Sequence, residues 1–464
     1  MAAVTTRQSR EVLSALAVVA ACTGEPAGMA GRPPPAIDAV TVNRNLQNAL
    51  SALVEVHVRL ADSVAVEYGS GPTPDNVSPA VVPTSDVAMV PVLGLLPSTV
   101  YGLRVVAYGG GEAVPGPPLS FTTDSLPSDL PRYIANGVDP TPGYIALSAG
   151  SYGLVIDNNG RVVWYRRFPA GPGLNFQPQP NGRYVARPPT ADPSAAWIEV
   201  DPLGNVTRTF GCARGLVARF HDLIVEPDGA YWIMCDETRI EDLSAIGGVQ
   251  AAQVTGTVIQ HLGATGALLF EWNPFDHFEI TDLDAASRTG TNVNWTHGNA
   301  LVLDMDGNLI VSFRSLSELT KIDTRTGDIL WRMGGLRNQF TFEGPPGAGF
   351  VRQHGLRVPG PGRLVLLDNL GDPTASRVER YVYDPDSRVA RLVASYGPDP
   401  AIVAQLGGST QDLPGGRTLA AFGNGDRVEE YDSSGRMVWH IEGSSGYVFR
   451  AQLISSLYTL TPVR

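Results

Sequence analysis

A unit made of a tight turn followed by a short strand recurs six times in this chain, and it constrains the fold more than any other feature. Each copy places Asp, Asn or Gly turn residues before alternating apolar and polar positions, a pattern typical of β-strands. The copies are DNNGRVVWYRR from residue 157, DPLGNVTRTF from 201, GATGALLFEW from 263, DTRTGDILWRMGG from 323, DPDSRVARLVASY from 384 and DSSGRMVWHIEG from 432.

The spacing of these units predicts a β-propeller. They recur at intervals of roughly 45–60 residues, close to the ~40–50 residues of a propeller blade. The longer intervals leave room for insertions at 236–258 and 273–293. A large sandwich of unrelated hairpins is the alternative, and it accounts less well for so regular a unit without intervening helical periodicity. We therefore predict an all-β chain with a six-bladed β-propeller over residues 143–464.

Residues 36–125 predict a separate β-sandwich domain ahead of the propeller. Strand-like runs follow one another there with turn signals between them. The spacing of Leu96 and Tyr101 resembles the tyrosine corner of fibronectin type III and immunoglobulin-like sandwiches. No cluster of reactive side chains occurs in this stretch, which favours a spacer or assembly role. Residues 126–142 are expected to form the linker into the propeller.

The N-terminus predicts export. Arg7 and Arg10 precede a short apolar run that ends in VAAC at Cys22, which resembles a bacterial lipoprotein signal. We expect a signal peptide over 1–22, lipidation of Cys22, and a flexible linker over 23–35, with ordinary cleavage nearby as the alternative. The protein would then lie in the periplasm or at the cell surface, attached to a bacterial membrane only through its lipid.

Two other sequence properties limit the partners and the redox state. The net charge of −12 argues against binding to nucleic acid or to an anionic membrane surface. After Cys22 only Cys212 and Cys235 remain, and two cysteines in an exported protein can form a disulfide. Two free buried thiols are the alternative. The oligomeric state is not predicted.

Three histidines open β-hairpin patterns of the same kind. His221 opens HDLIVEPDGAYWIMC, His297 opens HGNALVLDMDGNLIVSFR, and His354 opens HGLRVPGPGRLVLLDN. Equivalent positions in successive blades converge near one axis, so we expect three imidazoles in one pocket. Arg314 ends the second strand of the middle hairpin and is expected beside them.

This set of residues favours group transfer over metal binding. A neutral imidazole is a suitable nucleophile near neutral pH, and an arginine binds anionic oxygens through a permanent planar cation. A second imidazole, His221 or His297, can act as general acid and base. Three histidines can also hold zinc, but the nearby Arg314 disfavours a cation. We predict no cofactor and no metal.

The chain resembles the bacterial arylsulfate sulfotransferases (arylsulfotransferases). The resemblance rests on NWTHGNALVLDMDGNLIVSFRSLSELTKIDTRTGDILWRMGG, on RQHGLRVPGPGRLVLLDN with SRVERYVYD after it, and on FRAQLISSLY. It implies a β-sandwich before a six-bladed propeller. It also implies sulfuryl transfer from a phenolic sulfate ester to a phenol, by a ping-pong mechanism and without a nucleotide sulfate donor. Aryl sulfates and phenols are therefore the expected small-molecule partners.

The resemblance also implies roles for individual residues. His354 matches the nucleophile that becomes sulfohistidine, and His221 and His297 match histidines of the same pocket. Asn299 is expected to bind substrate and Arg314 to bind the sulfuryl oxygens. Gly355 departs from the family pattern, which usually has Asp directly after the nucleophile.

Two alternatives remain at this stage. The propeller could be a surface module that binds an anionic or carbohydrate ligand without turnover, and the Gly355 departure is compatible with that hypothesis. The second alternative is an enzyme that depends on a metal held by three histidines.

Overall fold

A computed structural model describes residues 32–169, 175–188, 197–443 and 445–458, and the chain in these ranges is all-β, as predicted. The predicted signal peptide, its Cys22 and most of the linker over 23–35 lie outside the described residues. No helix in the described ranges is long and apolar enough to cross a membrane. Helical structure there is limited to short 3₁₀ turns at Ser244–Ile246, Pro274–Asp276, Ile280–Asp282, Ala286–Arg288 and Pro414–Gly416.

Two antiparallel sheets form the N-terminal part. One has the strand order β1-β2-β5 and the other β4-β3-β6-β7. Alternating Val and Leu side chains of β2, β3, β5 and β6 pack into one shared core. The strands are β1 (Ala36–Arg44), β2 (Ser51–Arg59), β3 (Ser63–Gly69), β4 (Asn76–Val77), β5 (Val87–Leu93), β6 (Val100–Gly109) and β7 (Glu112–Thr122).

The tyrosine singled out in the sequence makes a local contact in this part. The hydroxyl of Tyr101 accepts a hydrogen bond of 2.8 Å from the backbone N–H of Leu96. A bond from a tyrosine hydroxyl to the backbone a few residues upstream is the defining contact of a tyrosine corner.

Six further sheets follow along the chain. In chain order their first strands are β8 (Ile134–Gly137), β9 (Tyr144–Ala149), β10 (Tyr152–Asp157), β11 (Val162–Arg167), β12 (Asn175–Pro178), β13 (Tyr184–Arg187), β14 (Trp197–Val200), β15 (Val206–Phe210), β16 (Val217–Val225), β17 (Tyr231–Glu241), β18 (Ala252–Leu262), β19 (Leu268–Trp272) and β20 (Asn292–Asn294), and all but β8 belong to the first three sheets. Of these strands, β8 alone joins the sixth sheet.

The remaining strands form the other three sheets, and β34 returns to the first. They are β21 (Gly298–Leu303), β22 (Leu309–Phe313), β23 (Glu318–Ile322), β24 (Ile329–Gly334), β25 (Thr341–Glu343), β26 (His354–Gly360), β27 (Arg363–Asp368), β28 (Arg377–Asp384), β29 (Val389–Tyr396), β30 (Ser409–Leu413), β31 (Arg417–Ala421), β32 (Arg427–Tyr431), β33 (Met437–Glu442) and β34 (Ala451–Ile454).

The recurring turn–strand unit has the same place in each of these sheets. Its strands are β11, β15, β19, β24, β29 and β33, and each pairs antiparallel with the strand that precedes it. In every sheet the register between these two strands shifts once. The predicted insertion at 236–258 consists largely of long extensions of β17 and β18.

On the other side of each sheet, one strand contacts its counterpart in a neighbouring sheet. These contacts join β12 to β34, β34 to β30, β30 to β26, β26 to β21, and β21 to β16. We call β12, β16, β21, β26, β30 and β34 the inner strands. Two exchanges link the ends of the series: β34 pairs with β9 of the first sheet, and β8 pairs with β33 of the sixth.

Candidate active site

The three predicted histidines occupy equivalent places on three inner strands. His354 is the first residue of β26, His297 directly precedes β21, and His221 lies in β16. In each case regular pairing with the next strand is interrupted at or just after the histidine. His221 and His297 are in direct contact, and His354 is close enough to lower the pKa of both, so the structure brings the three imidazoles together.

His221 and His297 form a direct pair. Their Nε2 atoms lie 3.1 Å apart and their ring centroids 4.7 Å apart. His221 is 2% exposed, whereas His297 is half-buried. The backbone at His297 has φ +50°, a left-handed conformation that is uncommon outside glycine and that concentrates at functional sites.

Each member of this pair has a second polar neighbour. Nε of Arg219 donates to Nδ1 of His221 at 3.1 Å, and the Arg219 guanidinium also pairs with the carboxylate of Asp236 on β17. Nδ1 of His297 lies 2.6 Å from the side-chain amide of Asn294. Both rings are therefore held at both nitrogens.

Burial and nearby cations keep the pair neutral. The pKa of His221 lies well below its ordinary value, first because the ring is buried and then because Arg219 and His297 are close. The pKa of His297 is lowered in the same way by burial, followed by Arg219 and Arg314. At neutral pH both rings are thus uncharged.

His354 is held by the side-chain amide of Asn369 and by the backbone of Arg352. Its Nδ1 lies 2.8 Å from Oδ1 of Asn369, which directly follows β27. Nδ2 of Asn369 donates to the carbonyls of Ala404 and Gly407, and this leaves its oxygen to face the imidazole. His354 therefore carries its proton on Nδ1, and the lone pair is on Nε2. Burial lowers the pKa of His354 to about 4, with Arg314 acting in the same direction.

Arg314 supplies a positive charge that no carboxylate neutralises. Among the described residues it forms no ion pair, and one Nη2 bond to the carbonyl of Gln405 is its side-chain hydrogen bond. Its backbone N–H bonds to the carbonyl of His297, which places it at the histidine site. Nε of Arg314 is buried without a partner, and burial lowers the pKa of the guanidinium. The neighbouring Arg352 differs because it pairs with Asp284.

Asn299 lies behind the histidines. It is 1% exposed, and its Nδ2 donates to the carbonyl of Gln353 at 2.7 Å. The amide therefore ties β21 to the residue preceding His354. Its Oδ1 is buried without a partner, so the predicted contact with substrate would have to use this atom.

The backbone explains why glycine follows His354. Gly355 has φ +62°, and a Cβ there would lie 2.5 Å from Cα of Ser409 and 2.8 Å from the backbone nitrogen of Thr410. A side chain at this position would meet the backbone of β30 directly. An aspartate is thus excluded in this backbone conformation, and the amide of Asn369 takes the orienting position beside His354.

A buried ion pair between Asp222 and Arg450 lies next to the histidine site. The Asp222 carboxylate accepts from the Arg450 guanidinium at 2.7 Å and from the backbone N–H of Leu301 at 3.0 Å. Arg450 also donates to the carbonyl of His221 at 3.2 Å. Despite burial, the cation holds the pKa of Asp222 below its ordinary value. This pair fixes the backbone of β16 next to the reactive rings.

A disulfide lies on the same strand pair as Arg219. Cys212 and Cys235 are bonded, with Cα atoms 6.1 Å apart. Cys235 precedes Asp236, the carboxylate that holds Arg219. The cross-link therefore ties the segment before β16 to β17, next to the ion pair that supports His221.

Aromatic rings line one side of the histidine pair. Phe220 stacks on His221 with ring centroids 4.0 Å apart, and Phe449 lies 5.7 Å from the same imidazole. Tyr447 continues this surface, 6.2 Å from Phe449. Such faces suit a planar aromatic group next to the imidazoles.

Sequence reasoning missed three supporting residues: Arg219, Asn294 and Asn369. Arg219 stands two residues before His221, and alternation along a strand would have placed both on one face. Asn369 directly follows the second strand of the His354 hairpin, and Arg314 occupies the same position in the His297 hairpin. Asn294 lies on the short strand β20, which the sequence did not predict. Within the described residues no group of His, Cys, Asp and Glu side chains is arranged to hold a metal ion.

Comparison with solved structures gives only distant likenesses. A protein of unknown function from Bacteroides caccae is 13% identical, with 67% of this chain and 98% of that chain covered and a TM-score of 0.43. A catalytically inactive variant of virginiamycin B lyase from Staphylococcus aureus, crystallised with quinupristin, is 12% identical over 66% and 87%, with a TM-score of 0.36. At these scores neither likeness bears on the activity of this chain.

Comparison with curated proteins gives no match. The family models do give one: the arylsulfotransferase (ASST) model matches residues 210–444, half of the chain, and this range contains all three histidines and Arg314. The family suggests aryl sulfotransferase activity. By this match the chain belongs to the arylsulfotransferase (ASST) family.

Proposed function

We propose that this protein transfers sulfuryl groups from aryl sulfate esters to phenolic acceptors, through a covalent intermediate on His354 and without a nucleotide donor. One observation carries the proposal: an unpaired guanidinium, Arg314, stands at a cluster of three imidazoles that are neutral at physiological pH. A cation without a carboxylate partner suits an anionic sulfuryl group, and a neutral imidazole suits attack on sulfur.

The first half of the reaction moves the sulfuryl group to the protein. The lone pair on Nε2 of His354 forms a bond to sulfur while the bond from sulfur to the aryl oxygen breaks. The electron pair of the broken bond leaves with that oxygen, which is neutralised by a proton that the histidine pair took up from solvent when the substrate bound. Arg314 binds the non-bridging oxygens, where such a group carries its charge in a loose transition state.

The second half reverses these steps with another phenol. The acceptor gives its proton to the histidine pair, and its oxygen attacks sulfur. The bond from sulfur to Nε2 breaks, and its electron pair returns to His354. Throughout, Nδ1–H of His354 stays bonded to Oδ1 of Asn369, so the ring keeps one orientation in both halves.

We further propose that the six C-terminal sheets are the blades of a six-bladed propeller, preceded by a fibronectin type III-like sandwich over 36–125. The propeller takes up residues 143–464 and, in addition, β8, which lies within the predicted linker over 126–142. The contacts between inner strands and the exchange of β8 and β34 support the first assignment. The shared core of the two N-terminal sheets and the Tyr101 contact support the second.

We also propose that the protein is exported and lipidated at Cys22. The Cys212–Cys235 disulfide supports export, because such bonds persist mainly in oxidising compartments.

The test is to incubate the pure protein with 4-nitrophenyl sulfate, with and without added phenol, and to record chromophore release and intact mass. We expect phenol-dependent release and a sulfuryl adduct that disappears in His354→Ala. The matched control is His277→Ala, which removes an imidazole stacked on Trp272, outside the cluster. Retained activity in His354→Ala would overturn the assignment of the nucleophile. Ligand binding without release or adduct in the native protein would instead indicate a binding module.

A further inference from the structure

We propose that Arg219 is a positioning residue: it holds His221 in one tautomer and thereby makes His297 the group that gives and takes the proton. This inference rests on the proposed function and deepens it. Arg219 is 9% exposed, and its guanidinium is anchored by Asp236 on the adjacent strand.

Arg219 determines which nitrogen of His221 carries the proton. An arginine Nε can donate a hydrogen bond but cannot accept one. Because Nε of Arg219 lies 3.1 Å from Nδ1 of His221, that nitrogen must be the acceptor. A neutral imidazole has one N–H, so the proton of His221 is on Nε2, where it faces Nε2 of His297.

The tautomer of His221 in turn determines that of His297. Its Nε2 accepts from His221, so its own proton is on Nδ1, directed at the amide of Asn294. The structure places Nδ2 of Asn294 next to this nitrogen, so the proposed tautomer requires the amide to be flipped, with Oδ1 toward the ring. Amide oxygen and nitrogen are assigned from such hydrogen-bond networks. In the opposite tautomer, Nε2 of His297 would donate to Nε2 of His221. His221 would then have to accept a hydrogen bond at both nitrogens and would carry no proton.

An added proton can bind to only one of the two rings. The lone pair on Nδ1 of His221 is occupied by Arg219, and His221 stays neutral as long as that bond lasts. The remaining lone pair is on Nε2 of His297. Once it is protonated, two N–H groups face each other, and the rings must separate. Both N–H groups then point into the site, with His297 as the imidazolium.

The charges around the histidine pair determine when His297 takes up a proton. The groups close to the pair are His354, Arg219, Arg314, Arg352, Arg450, Asp222 and Asp236. Each of the two carboxylates is already paired with an arginine. The excess of positive charge keeps the pair unprotonated until an anionic aryl sulfate enters. Proton uptake is therefore coupled to substrate binding, and His297 delivers that proton to the aryl oxygen while His221 donates a neutral hydrogen bond.

Nitrogen NMR of ¹⁵N-histidine-labelled full-length protein tests the tautomers directly, since protonated and unprotonated ring nitrogens have distinct shifts. We expect Nε2–H for His221 and Nδ1–H for both His297 and His354. In Arg219→Met we expect His221 to become a mixture of tautomers. The control is Arg187→Met, because Arg187 on β13 is also buried but bonds the Ala218 carbonyl, next to Arg219, instead of a ring. A wild-type His221 in the Nδ1–H form would overturn the proposal, whether or not any variant folds.

A comparison of leaving groups tests the role of His297. Loss of a general acid slows departure of a basic phenolate more than that of an acidic one. We expect His297→Asn to lower the rate with phenyl sulfate by about 10²- to 10⁴-fold, and the rate with 4-nitrophenyl sulfate much less. His221→Asn should slow both substrates to a similar extent. The reverse pattern would assign the acid to His221 and overturn the inference.

The two experiments separate this inference from the proposed function. If the native protein transfers no sulfuryl group, the function fails, while the NMR spectra still decide the role of Arg219. If transfer occurs but the tautomers differ from those expected, the function stands and the role of Arg219 falls.

Discussion

The two sides of the histidine cluster are held by different chemistry. His354 is oriented by the neutral amide of Asn369, whereas His221 and His297 are held by the charged Arg219 and the amide of Asn294. A neutral partner leaves the lone pair of His354 available for sulfur. A cationic partner prevents protonation of His221 and directs the proton to the neighbouring ring. In the proposed mechanism, this difference lets one residue type serve both as nucleophile and as proton carrier within one site.

Removal of the unpaired cation should have the largest effect on this arrangement. We expect Arg314→Met to lower kcat/KM by about 10²- to 10³-fold, because charge on the sulfuryl oxygens loses its counter-charge. Steady-state kinetics with 4-nitrophenyl sulfate and phenol measure this. Arg352→Met is the control, since its guanidinium is paired with Asp284 and should matter less. A larger loss in the control than in Arg314→Met would contradict the assignment.

Removal of the orienting amide should affect the nucleophile alone. We expect Asn369→Leu to lower the rate of adduct formation by roughly 10²-fold, since misplacement of a reacting group by about 1 Å has an effect of this size. Asn369→Asp keeps an oxygen toward His354 and should recover part of the rate. Single-turnover adduct formation, followed by mass, is the measurement. Equal rates in the Leu and Asp variants would argue that Asn369 acts only through folding.

The low pKa of His354 predicts the pH dependence of adduct formation. The neutral ring is the reactive form, so the rate should be independent of protonation of His354 above its pKa of about 4. As pH falls through that value the ring gains a proton, and the rate should fall tenfold for each further pH unit. Burst kinetics across the acid range test this. A loss centred near the ordinary histidine value, about 6.5, would show that the nucleophile is not desolvated.

Substitution of Gly355 should have the smallest effect, and this effect should be on stability. We expect Gly355→Ala to lower the free energy of unfolding by about 1–3 kcal/mol, through overpacking against β30 and an unfavourable φ. Gly150→Ala is a matched control: it has a similar φ of +57° but open space around its Cβ. Urea unfolding of both variants separates steric contact from backbone strain. Equal losses would show that contact with Ser409 is unimportant.

The sequence predicted the parts of the site that depend on repetition. The regular turn–strand unit indicated the all-β fold, and the equivalent positions of His221, His297 and His354 indicated that they would meet. These inferences need only strand periodicity and a repeated unit.

The supporting contacts could not be predicted because they depend on irregular geometry. Arg219 reaches His221 where β16 loses its register with β17. Asn369 faces His354 because its amide nitrogen is engaged by two loop carbonyls. Nδ2 of Asn299 bonds the backbone of Gln353, and the predicted contact of Asn299 with substrate stays a prediction. No pattern of residue types specifies such local departures.

The ion pair between Asp222 and Arg450 has a kinetic consequence. The two residues are 228 positions apart in sequence, and Arg450 directly precedes β34, which must pair with β9. Contacts between such distant segments form late, because closure of a long loop is entropically unfavourable. The backbone at His221 therefore stays unfixed until β34 has docked. During refolding, strand content should return before the proposed transferase activity, with a delay set by the docking of β34 on β9.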